Sequence, residues 1–188
     1  LSWYFLFFVQ SNHLHADISF HTVLGASSSL HLSQSVKYPS KVHPAFGFTQ
    51  GLRFGFGRHL ALEPFIGVTS LWASDLSGGF SYRGVTAFSA GLSVEVDILS
   101  FLPSSKAGED YLFLGFSFGG KASLAQYEFT ELYFFYPSLI LEPILMFTFP
   151  REPHFFLRLS LPAEGHFRRD LSFAGNLGIK LSAAYAPF

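Results

Sequence analysis

The sequence predicts an all-β protein, an antiparallel up-and-down transmembrane β-barrel of about eight strands. Three observations carry this. Hydrophobicity alternates with period two along most of the chain, the period at which strand side chains take opposite faces. One face of each stretch is bulky and apolar, and the other is mostly Gly, Ser, Ala and Thr. Charge is scarce: charged residues are 13% of a 188-residue chain that is 49% hydrophobic and holds 25 Phe, against about 25% charged in an ordinary soluble domain. A soluble protein so poor in charge would struggle to cover its surface.

Residues 1–16, LSWYFLFFVQSNHLHA, stand apart. Trp3 to Val9 is a continuous apolar run, followed by polar residues and Ala16. This is the pattern of the apolar and cleavage regions of a secretory signal, so 1–16 reads as a signal-peptide remnant and 17–188 as the barrel. His13 and His15 lie inside that segment and are not expected to bind metal. Beyond it, an apolar run of ~18 residues fit for a membrane helix is missing. The longest uncharged stretch, Ile18 to Val36, is full of Ser, Thr, His and Gln.

From Ile18 the alternation begins, with Phe20, Leu24 and Ala26 against Ser19, His21 and Gly25. A strand is expected over about 18–28, then a polar loop at 29–43. The stretch 44–72 reads as a hairpin. Phe46, Phe48, Gln50, Leu52, Phe54 and Phe56 share one face, and Ala45, Gly47, Thr49, Gly51, Arg53 and Gly55 the other. Gly57-Arg58-His59 closes it, as a short Gly-containing loop does between alternating runs. The return strand sets Leu60, Leu62, Ile66, Val68 and Trp72 against Ala61, Glu63, Gly67 and Thr69. These glycines alternate with Phe in a strand and precede no helix, so they are not a phosphate loop.

Further strands are expected at about 80–98, 110–121, 131–149, 154–163 and 171–187. Loops are expected at 73–79, 100–109, 122–130, 150–153 and 164–170. The loops at 29–43, 73–79, 122–130 and 164–170 fall at one end. Both barrel termini share the other end with the turns. An even-numbered meander so arranged is the plan of an outer-membrane barrel whose long loops face outside.

The polar face sets the direction. A soluble barrel turns apolar residues inward and covers itself with large polar groups, whereas small residues suit the narrow interior of an eight-stranded barrel. The aromatic face is therefore expected toward lipid, with Trp72, Tyr82 and Tyr133 near the outer interface. The inner face then carries Arg53, Arg83, Lys121, Arg158 and Lys180 against Glu63, Glu95, Asp97 and Glu142. Charges inside a lumen must be paired or hydrated. Arg53 and Glu63 are equidistant from Arg58, so an ion pair is expected between them. At Glu63-Pro64 and Glu142-Pro143 the missing proline N–H implies a bulge or a break in pairing.

At this point the chain resembles the small eight-stranded outer-membrane barrels of the OmpW, OmpX and OmpA-barrel type, over about 17–188. The resemblance rests on strand pattern, loop asymmetry, the export signal and an aromatic C terminus. It implies a bacterial outer-membrane location, contact with outer-membrane lipid and assembly by the barrel-assembly machinery. That machinery reads a terminal aromatic residue, here Phe188 behind Tyr185. It also implies a functionally mixed group, from adhesins and anchors to channels for small hydrophobic molecules.

The function expected is a barrel with a narrow, largely plugged polar lumen and surface-exposed loops, in a structural, adhesion or surface-interaction role. Two alternatives stand beside it: a passive channel for small hydrophobic solutes, with Pro64 and Pro143 as the weakened wall, and a soluble lipocalin-like lipid-binding barrel. Enzymatic chemistry is not expected. His31, Ser74, Asp75 and His166 could meet at the outer rim, but no spacing singles them out. With 12 basic and 13 acidic residues and no Cys, the chain offers no basic field for nucleic acid, no thiol chemistry and no Cys metal site. No cofactor is expected.

Overall fold

A computed structural model describes residues 18–35, 38–57, 59–74, 82–98, 112–127, 133–149, 152–167 and 173–186. Residues 1–16 lie outside this set. The strands are β1 (Ile18–Ser35), β2 (Tyr38–Phe56), β3 (Leu60–Ser74), β4 (Tyr82–Asp97), β5 (Leu112–Tyr127), β6 (Tyr133–Phe149), β7 (Glu152–Ser160), β8 (Ala163–Phe167) and β9 (Phe173–Tyr185). From β1 to β6 sequential neighbours pair antiparallel, β7 and β8 both pair with β6 and β9, and β1 also pairs with β9, so the sheet closes on itself.

Nine strands make eight staves, because β7 and β8 are one stave interrupted at Leu161–Pro162. Below the gap Ser160 faces Ile144, above it Ala163 faces Leu141, and the register does not slip between them. Prolines explain the gap. Leu161 N–H donates to the Pro143 carbonyl at 3.1 Å, and Gly178 N–H donates to the Pro162 carbonyl at 3.0 Å. Neither proline has an N–H to return, so each pair keeps one bond where two are normal. Between β2 and β3 the pairing likewise lapses where Leu52 and Arg53 face Pro64 and Glu63.

Register also fixes the tilt. From Leu24 the pairing runs through Gln50, Ile66 and Ala90 to Ala122 on β5. The other way it runs through Ala183, Leu157 and Phe147 to Leu112 on the same strand. This offset along β5 is the shear, which inclines strands by roughly 35–45° in closed barrels.

The two faces lie as their chemistry requires. Phe48, Ile66, Phe88, Phe135, Leu139, Leu177 and Ile179 point outward and are exposed. Ala61, Ala87, Ser93, Ser117, Ser123 and Ser182 point inward and are buried. An apolar plug of Val23, Ile144, Met146, Phe156 and Ala184, with Phe113 against it, packs together inside the barrel toward the short-turn end. At that end Gly57 has φ +62°, a left-handed conformation that glycine adopts without a Cβ clash.

The strands run longer than the sequence pattern suggests. The stretch 29–43 is not a loop, since β1 continues to Ser35 and β2 starts at Tyr38. Likewise β5 continues to Tyr127 through the expected loop at 122–130, and β8 occupies Ala163–Phe167 in the expected loop at 164–170. Ladder bonds join backbones, so a strand can leave the apolar band and keep pairing once its side chains turn polar. Trp72, Tyr82 and Tyr133 lie on upper strand ends, and their side chains are outside the described set.

Candidate functional site

The site is the polar lumen. Along each stave every second residue points inward, so the closed sheet stacks layers of side chains above the apolar plug.

The lower polar layer centres on Arg158 of β7. Its Nη1 donates to Glu63 Oε2 at 2.7 Å and to Glu95 Oε1, while Nη2 donates to Glu63 Oε1 at 3.1 Å. Arg53 Nε donates to Glu95 Oε2 at 2.6 Å. Two cations and two anions thus join β2, β3, β4 and β7, and all four side chains are buried. Arg53 and Glu63 face each other across the hairpin but do not pair: Arg53 takes Glu95, and Glu63 takes Arg158. The cause is reach. A guanidinium entering from β7 holds both Glu63 oxygens, a bidentate grip a single Nε–H cannot match. The Arg53 guanidinium carbon also lies 5.6 Å from the Phe156 ring centre and 6.0 Å from that of Phe113, cation–π distances.

Room for this layer comes from Gly51. A Cβ there would lie 2.9 Å from Glu63 Oε1 and 3.2 Å from the Pro64 carbonyl. Beside the quartet, Ser160 Oγ donates to Glu142 Oε1, and Lys180 Nζ lies 3.8 Å from the same oxygen. Asp97 is buried at the foot of β4, where its backbone N–H donates to the His59 carbonyl at 3.0 Å.

The upper layer is built differently. Lys121 Nζ of β5 reaches both Glu164 oxygens at 2.7 Å. Asn176 Nδ2 donates to Glu164 Oε2 at 2.8 Å, and Asn176 Oδ1 lies 2.7 Å from His31 Nδ1. The rings of His31 and His166 stack at 5.6 Å, with Tyr136 set edge-on to His166 at 5.0 Å. Ser138 Oγ and His166 Nδ1 are 2.8 Å apart.

Of the residues expected in the lumen network, Arg53, Glu63, Glu95 and Arg158 form one cluster and Glu142 with Lys180 adjoins it. Lys121 belongs to the separate upper layer. Arg83 sits high on β4 opposite Ala73, with its side chain outside the described set. Tyr185 ends β9, faces outward and pairs with Thr22 and Phe155. Phe188 lies outside the described residues. Sequence reasoning missed Glu164, which supplies the anion for Lys121, and it missed Asn176, Ser138 and Ser160 as partners. The signal was available, because Arg158, Ser160, Glu164 and His166 share even parity along one stave. His31 and His166 do meet, but inside the lumen. Asp75 and the Ser74 side chain lie outside the described set.

The chain is similar in structure to Neisserial surface protein A, with a TM-score of 0.60 over 89% of this chain and 96% of that one, at 11% identity. It is also similar to Ail, the attachment invasion locus protein of Yersinia pestis, with a TM-score of 0.50 over 89% and 99%, at 11% identity. The chain has the fold of the small eight-stranded outer-membrane β-barrels. No family model matches the sequence, and no curated protein matches it. At such identity the likeness speaks for architecture, and function has to be argued from the site.

Proposed function

We propose that this protein is a bacterial outer-membrane barrel with a plugged lumen, acting through what it presents at the cell surface and not through transport or catalysis. The observation that supports it most is the buried quartet of Arg53, Glu63, Glu95 and Arg158, which ties four staves together across the lumen above the apolar plug. An open pore would hydrate such charges singly; here they neutralise one another.

The partners in this reading are outer-membrane lipid on the aromatic wall, the barrel-assembly machinery during insertion, and extracellular ligands at the far end. Because the strands extend upward, the contact surface narrows to the connections 36–37, 75–81, 128–132 and 168–172 and the strand tips beside them. That the similar Yersinia pestis barrel is an attachment invasion locus protein lends support to a surface-contact role. Catalysis finds little support. Ser138 and His166 make a hydroxyl–imidazole pair, but both Glu164 oxygens are taken by Lys121, so among the described residues no free carboxylate orients the imidazole.

A second reading, a passive channel for small hydrophobic solutes, draws on the thinned pairing at Pro64 and at Pro143 with Pro162. It requires a path through a filled interior.

Protease treatment of intact cells, with heat-modifiable gel migration of the same samples, tests the proposal. Cleavage at 75–81 or 128–132, with the barrel migrating as a compact species until heated, is the expected outcome. Protection of all four connections on intact cells, or release of the protein into aqueous buffer without detergent, contradicts it.

A further inference from the structure

The outward wall carries one feature that lipid contact does not explain. An open apolar hollow of about 800 Å³ runs across β9, β1, β2, β3 and β4. Its sides are the exposed Leu24, Phe48, Ile66, Phe88 and Leu181, and Ala26 and Ala183 leave its floor shallow. Gln50 lies within it. This side chain is outward and exposed, on the same face as Phe48 and Leu52.

Its depth makes the amide unusual. Gln50 sits six residues above Phe56, the last residue of β2. At about 3.3 Å per residue and a tilt of ~45°, that is roughly 14 Å up an apolar band of ~25 Å, close to its middle. Hydrocarbon there offers neither donor nor acceptor, and an unmatched amide in it is costly. Among the described residues nothing bonds the Gln50 side chain. Among the described side chains, the other outward polar groups are Ser28, Ser70, Thr86 and Gln126 toward the upper strand ends, and Thr22, paired with Leu52 diagonally below Gln50, with Tyr185 beside it toward the lower.

We propose that this hollow is a homodimer interface in which the Gln50 amides of two copies hydrogen-bond to each other across a two-fold axis. An amide is both donor and acceptor, so it complements its own copy, as an isologous contact requires. Small residues beside it, Ala26 and Ala183, let two walls approach closely, the usual condition for association within lipid. Acyl chains fill such a hollow too, but they have no group for the amide at that depth.

The chain has no Cys, so a single introduced thiol cannot form a disulfide within its own copy. Full-length Gln50→Cys in native membranes is expected to form a disulfide-linked dimer, with Leu141→Cys on the far wall as control. Gln50→Leu is expected to keep heat-modifiable folding while its dimer association constant in bilayers falls about tenfold, the scale of one lost interhelical-type amide pair. Cross-linking at position 50 no greater than at 141 overturns the proposal. So does a dimer fraction unchanged by Gln50→Leu, or a monomer that co-purifies with lipid lost in that variant.

Discussion

The two polar layers of the lumen are built from different residues and do different work. In the lower one, Arg158 bonds two glutamates on two other staves, and Arg53 bonds the second of them from a third. Removing any member leaves a buried charge unmatched. In the upper layer the charges among the described side chains form one pair, Lys121 with Glu164, beside Asn176, Ser138, Tyr136 and two imidazoles. Lys121 and Glu164 are nearly as enclosed as the charges below, with side chains 8% and 14% exposed, but their pair joins only two staves. The lower layer ties β2, β3, β4 and β7 together by charge; the upper one lies nearer the long-loop end. The contrast shows that an ion pair in a barrel matters for how many staves it joins.

The comparison breaks first at Arg158. Arg158→Ala leaves Glu63 and Glu95 buried with only Arg53 between them, and is expected to lower stability by about 3–5 kcal/mol, the range for breaking a buried pair. The midpoint of heat- or urea-driven loss of compact gel migration in detergent measures it. A change under about 1 kcal/mol would mean that water reaches the quartet and that the layers do not differ.

Gly51→Ala comes next. The new Cβ meets the Glu63 carboxylate that Arg158 holds, and displacement of one charged bond is expected to cost about 1.5–3 kcal/mol. Combining it with Arg158→Ala sharpens the point: the effects should fall short of additive, because both act through Glu63.

The smallest effect is expected above. Lys121→Met with Glu164→Gln removes the upper pair together, and replacing both partners of a buried pair is often close to neutral. A midpoint within about 1 kcal/mol of the native protein is predicted. A loss matching that of Arg158→Ala would make the upper layer equally structural.

Much of this architecture was legible in the sequence, because parity is a local property. Phe48 and Phe88 had to face one way, and Gly51 and Ser93 the other, and closure alone made the second set interior. Strand ends were less legible. Ser29 and Ser33 read as loop because apolar character marks where a strand meets lipid, not where its ladder stops. The contents of the lumen were legible, but its partners were not. Hairpin symmetry identifies Arg53 and Glu63 as neighbours, yet it says nothing of Arg158 arriving from β7, 95 residues from Glu63 along the chain. Which charges meet across a barrel depends on shear and closure, and no single hairpin encodes those. Glu164 was hidden for a related reason: the run EGHFRRD resembles a loop until the proline gap before it is seen to continue the stave.

Sealing of the lumen by the quartet above the apolar plug, as proposed, is open to planar-bilayer recording of the native protein beside Arg158→Ala. The native barrel is predicted to show no large, stable single-channel currents, and the variant to admit small, flickering ones. Large, stable currents from the native protein would contradict the account.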